Sequence, residues 1–124
     1  MRRRENLFYG LGMVVYSIAS ADGKIQAAEK NELKEMLAIW MEDFEVEFEI
    51  SEIIFSILEK TKPNYKEGYA LGIKYIENNK ELLTAKLVEK FIYLVKDIAR
   101  AFPPVTIEEK QVIELFESDL RAMN

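Results

Sequence analysis

The chain has 124 residues, 49% hydrophobic and 31% charged, which makes it a single folded domain with one core rather than a disordered segment. A formal charge of −5 and an isoelectric point near 4.9 exclude a typical nucleic-acid binder, because phosphate contacts need a clustered basic surface. With no Cys and no His, the chain cannot build thiolate or imidazole zinc sites, Ser-His or Cys-His nucleophile pairs, or redox dithiols, and it suits a reducing compartment.

In chain order, Arg2-Arg3-Arg4 is the only basic run and reads as a solvated terminus. Leu7, Leu11, Val14, Val15 and Ile18 recur at helical spacing and predict a helix over 5–20. A second helix is expected from Gln26 to Met41, with Leu33, Met36, Leu37 and Trp40 on one face. "FEVEFEI", Phe44 to Ile50, alternates with period two; a lone strand would have no partner, so it reads as an extended connection or a first helical turn. Glu42 to Glu59 holds seven acids and no Lys or Arg, either a solvated face or a lobe that receives a cation or a basic partner. A third helix is expected at Ser51–Lys60, closed by Thr61-Lys62-Pro63-Asn64, since the residue before proline disfavours helix. Tyr65–Asn78, Glu81–Ala101 and Thr106–Ala122 complete the set.

Sliding the chain by 80 residues superimposes its two ends without a gap. Ile18, Ala19, Ala21, Ile25, Glu29 and Lys30 fall on Ile98, Ala99, Ala101, Val105, Glu109 and Lys110, while Leu7, Leu11, Val15 and Leu33 fall on Leu87, Phe91, Val95 and Ile113. The expected fold is therefore all-α, an internally duplicated bundle of five to seven helices in one domain. Its repeat units are about 5–40 and 85–120, joined by helices over about 51–79. Met1 to Ala21 does have the layout of a secretory signal: an Arg-rich start, an apolar middle and Ala-x-Ala. The same helix recurs internally at 87–101, and Gly10, Gly12, Tyr9 and Tyr16 interrupt an apolar stretch too short to span a bilayer, so a folded helix is expected instead.

The turn Ser17–Lys30 concentrates the candidate chemistry. Asp22, Gly23, Ile25 and Glu29 match the closing half of an EF-hand loop. The opening half is missing, because Ile18 and Ser20 occupy its first two ligand positions and calcium wants about six to eight oxygens. Helix capping accounts for part of the same pattern. Thr106-Ile107-Glu108-Glu109 is a capping box, which makes Glu109, and Glu29 after the weaker cap Gln26, helix-starting carboxylates. Asp22 has Phe102 as its counterpart, so the fold does not require the acid.

The stretch Ala19-x-Ala21-Asp22-Gly23-x-Ile25-x-x-x-Glu29, ending one helix, opening the next and echoed near the C-terminus, resembles the tellurite-resistance TerB family and its TerB-like relatives. The resemblance implies a cytoplasmic, non-enzymatic, all-helical module of the response to tellurite, metal or chemical stress. It would act through a protein partner and could reach a membrane only peripherally, through partners. It also implies a weak site for calcium, magnesium or manganese, carried here by Asp22, Glu29 and Glu109; Phe102-Pro103-Pro104 departs from a symmetric pair of sites. The competing readings are a metal-free helical scaffold whose acidic face docks a basic partner, and an enzyme working with paired carboxylates.

Overall fold

A computed structural model of the protein describes residues 2–20, 27–61, 64–102 and 105–124. They form six α-helices and one 3-10 turn: α1 (Arg3–Ala19), α2 (Ala27–Asp43), α3 (Phe48–Thr61), α4 (Tyr65–Asn78), the turn Lys80–Leu82, α5 (Ala85–Ala101) and α6 (Ile107–Met123). No strand occurs among the described residues.

α1 is the spine. Every residue from Leu7 to Ile18 is buried, as expected for a helix apolar on all sides. α3, α4, α5 and α6 surround it. α4 runs antiparallel to α1 and approaches it most closely, where two glycines meet. A Cβ on Gly10 would stand 2.7 Å from the Gly72 carbonyl oxygen, and one on Gly72 would stand 2.7 Å from that of Gly10. Both distances are below van der Waals contact, so the crossing exists only because neither residue has a side chain. The Tyr9 and Tyr75 rings meet edge-on beside it, 5.1 Å apart.

The far side of α1 carries an aromatic cluster. Phe8 lies 5.2 Å from Phe44 and 5.8 Å from Phe91, and Phe44 lies 5.4 Å from Phe91, tying the end of α2 and the first half of α5 to the spine. Trp40 extends the cluster towards Tyr93, and its indole N–H points at Asp97. Buried aromatic pairs in tilted or edge-on geometry add about 0.5–1.5 kcal/mol each beyond their area.

Local signals set the helix ends. The Asn64 side chain accepts the Glu67 N–H at 2.9 Å and the Thr84 hydroxyl accepts that of Leu87 at 3.1 Å, starting α4 and α5. Thr84 also explains why α5 begins at Ala85 rather than at Glu81: the Leu82–Leu83 pair that prolonged the apolar pattern belongs to the 3-10 turn and to the extended residue after it. The FEVEFEI segment is both of its expected alternatives in succession. Phe44 and Glu45 turn, Val46 and Glu47 connect without regular structure, and Phe48 opens α3. Val46 N–H bonds Met41 C=O at 2.8 Å and Glu45 N–H bonds Glu42 C=O at 2.9 Å, a Schellman closure that places Glu45 at φ 62°.

The arginine run is exposed, as expected of a solvated terminus, yet two of its side chains find partners. Arg3 pairs with Glu81 and donates to the Asn79 side chain at 3.3 Å, pinning the start of α1 to the end of α4. Arg4 donates to the Phe44 carbonyl and, at 3.4 Å, to that of Glu45, while its guanidinium lies 4.9 Å from the Phe8 ring centre. Two of the three arginines therefore make surface contacts that link the start of α1 to the ends of α4 and α2.

α2 and α6 have the same length, and both ends are displaced by 80 residues, 27 to 107 and 43 to 123. α1 and α5 also match in length, with α5 starting at Ala85 against Arg3.

Candidate functional site

Of the three carboxylates expected to share a cation, one can be located in full. Asp22 lies outside the described residues. Glu29 is the third residue of α2, and its side chain also lies outside them. Glu109 is the third residue of α6 and is 3% exposed, and its backbone N–H bonds the Thr106 hydroxyl at 3.1 Å. The cap expected at Thr106 is thus formed, and the acid that follows it is sequestered in the bundle. Among the described residues no group of three or more carboxylates lies close enough to hold a metal ion.

The acids of 42–59 do not converge. Asp43 reaches across to Lys90 on α5 at 3.4 Å, and Glu52 pairs with Lys34 on α2 at 3.3 Å. Glu59 is exposed, and its charge adds to burial in raising the Tyr16 hydroxyl above its ordinary pKa. Glu42, Glu47 and Glu49 are exposed. α3 itself buries Ser51, Ile54, Phe55 and Leu58 and turns its other side outward.

A second feature was not read from the sequence. α4 and α6 run side by side and leave a groove between them, lined near the starts of both helices by Tyr65, Tyr69, Val112 and Leu115, with Lys66 and Glu108 at its rims. In its middle the Tyr69 hydroxyl donates to Asp119 Oδ2 at 2.6 Å. Burial pushes the Tyr69 hydroxyl well above its ordinary pKa, and the bond and charge of Asp119 push it further. The i, i+4 spacing of Tyr65 and Tyr69 marks a helix face in sequence, but nothing local says that Asp119 closes over it.

The α5–α6 seam holds a different kind of charge. Lys96 bonds Glu117 at 2.9 Å and Arg121 bonds Glu89 at 2.6 Å. These cations hold the Glu117 and Glu89 carboxyls below the usual range, chiefly through the hydrogen bonds they donate. Such exposed pairs fix helix register more than they stabilise it. No helix of the described residues is long and apolar enough to cross a membrane.

No protein-family model matches the chain, and it has no significant match among curated proteins or solved structures.

Proposed function

We propose that this chain is a TerB-like, non-enzymatic module of the response to tellurite, metal or chemical stress, and that it works by binding a protein partner. The observation that carries the partner-binding part is the segregation of charge. Residues 42–59 hold seven of the 22 acids and none of the 17 Lys and Arg, so the rest of the chain keeps 15 acids against 17 bases. The negative excess of the whole molecule therefore resides at the end of α2 and along α3. Charge gathered on one hairpin steers a complementary partner towards that hairpin. The stress role and the TerB-like duplication rest on the motif Ala19–Glu29 and the 80-residue register, with the matching bounds of α2 and α6 in support.

A weak cation site at the helix turns belongs to this proposal through Asp22, Glu29 and Glu109. The metal-free version of the module is favoured by the spread of the described acids, which bond to separate lysines instead of facing one another.

The test is a tellurite challenge of cells lacking the chain, complemented with wild type or with Asp22→Asn, Glu29→Gln. Restoration by both proteins supports the metal-free module; restoration by wild type alone supports the cation site. Tolerance that does not depend on the chain refutes the stress role. In parallel, calorimetric titration of the wild type with calcium, magnesium and manganese should give a Kd on the order of 10⁻⁴ to 10⁻³ M if the site exists.

A further inference from the structure

Five residues of α3, Phe48, Glu49, Glu52, Ile53 and Ser56, occupy positions i, i+1, i+4, i+5 and i+8, which form one continuous strip of helix surface. The strip faces away from the buried Ser51, Ile54, Phe55 and Leu58. Phe48 is 67% exposed and Ile53 49% exposed, so neither contributes much to the core. Among the described residues Glu49 forms no ion pair, and Glu52 pairs with Lys34 alone, at 3.3 Å.

We propose that this strip docks a basic amphipathic helix of a partner protein. The inference rests on the partner-binding reading above and names the partner's chemistry. The surrounding charge selects the occupant. Seven acids and no base over 42–59 repel phosphate backbones and anionic membranes. A second copy of the chain bringing the same strip would be repelled too, as like charges juxtaposed across an interface cost several kcal/mol. A cationic helix is attracted, and apolar residues spaced three and four apart on it can cover Phe48 and Ile53 while its Lys or Arg meet Glu49 and Glu52.

The probe is a synthetic amphipathic helix of ~18 Leu and Lys residues, long enough to be helical when bound. Its control is a peptide of the same composition in scrambled order. Binding is followed by fluorescence anisotropy at two salt concentrations, with amide chemical shifts to locate the site. The ordered peptide should bind one to one, more weakly at high salt, and about tenfold more tightly than the scrambled one. Phe48→Ala with Ile53→Ala should weaken it by about tenfold or more, with the circular dichroism spectrum unchanged because both side chains are exposed. Equal binding of the two peptides, indifference to the double variant, or shifts centred on the α4–α6 groove would overturn the proposal. If the double variant fails to bind the peptide yet still restores tellurite tolerance, the α3 strip is refuted and the broader functional reading survives.

Discussion

α1 and α5 are matched in length and aligned by the 80-residue register, yet they live in opposite environments. α1 is buried from Leu7 to Ile18. α5 buries one face, including Val88, Phe91, Ile92, Val95 and Ile98, and exposes Glu89, Tyr93, Lys96 and Arg100. The register shows where the difference arises. Tyr9, Gly10, Met13, Tyr16 and Ser17 on α1 stand opposite Glu89, Lys90, Tyr93, Lys96 and Asp97 on α5. Where α5 carries the polar face of a surface helix, α1 carries aromatic, small or thioether side chains that another helix can cover. At these five aligned positions one helix is suited to a spine and the other to an outer layer, and Gly10 is the one that admits α4.

Moving those residues across the register gives the largest expected effect. Gly10→Lys, the residue that α5 has there, should abolish folding or cost more than about 4 kcal/mol, since it adds a steric clash and an unpaired buried charge. The reverse change, Lys90→Gly, should cost about 1 kcal/mol, the usual helix penalty of glycine. Urea unfolding of the two variants measures both, and similar losses would mean that the helices are not differently placed.

The next effect tests the glycine crossing itself. Gly10→Ala and Gly72→Ala should each cost about 2–3 kcal/mol, because the added Cβ meets a carbonyl oxygen at 2.7 Å and neither backbone can yield. Gly12→Ala is the internal control. Its Cβ would meet only the side-chain tips of Ile54 and Leu58 at 3.2 and 3.3 Å, and alanine favours the helix, so the net change should stay within about 1 kcal/mol. Equal losses at Gly10 and Gly12 would show that α4 does not seat on α1 through the glycines.

These positions also mark what was legible in the sequence. Helix periodicity, Pro63 and the cap at Thr106 are local signals, and they located six helices to within a few residues. FEVEFEI carries a strand's period because a Schellman turn buries Phe44 and Val46 and exposes Glu45 and Glu47, imitating a strand without pairing. Gly10 and Gly12 argued against a membrane span, but which helix Gly10 admits depends on residues more than sixty positions away. Arg3 and Arg4 are exposed, as their charge suggests, but their partners, Glu81 and the Phe44 carbonyl, lie 78 and 40 positions away and leave no local signal. The candidate cation site was read from one turn and its echo 80 residues on, and only Glu109 of its three carboxylates has a described side chain.

The α4–α6 pair, which flanks the spine, supplies an effect of about 1 kcal/mol with a pH signature. Tyr69→Phe removes the bond to Asp119 and should lower stability by about 1 kcal/mol at neutral pH. The hydroxyl's pKa in the fold is raised above 10, its unfolded value, so its contribution is complete below pH 10 and is lost as the pH climbs beyond it. Wild type should therefore lose stability in strong alkali faster than Tyr69→Phe, and the two denaturation curves should draw together above pH 10. Parallel pH profiles would mean that the hydroxyl is solvated rather than held by α6. Thr106→Ala, at the cap of α6, should cost a similar ~1 kcal/mol with no alkaline component.

The smallest effect concerns how the two matched helices begin. α5 starts with its own cap, Thr84, whereas the register partner on α1 is Arg4, which reaches away to the carbonyls of Phe44 and Glu45. Those carbonyls belong to a turn whose φ of 62° at Glu45 is costly for a residue with a Cβ, by about 1–2 kcal/mol. Glycine removes that cost but adds freedom to the unfolded chain, so Glu45→Gly should stabilise by only ~0.5–1 kcal/mol. Arg4→Ala should destabilise, because it leaves two helix-end carbonyls without their donor. In the double variant the gain from glycine should persist in full if the arginine merely caps the turn, and should shrink if the arginine holds Glu45 in its left-handed conformation, since the turn would then relax once released. A thermodynamic cycle over the four proteins separates these outcomes. A coupling near zero assigns the strain to the Schellman closure alone, and a coupling of ~0.5 kcal/mol or more makes α1 the element that imposes it.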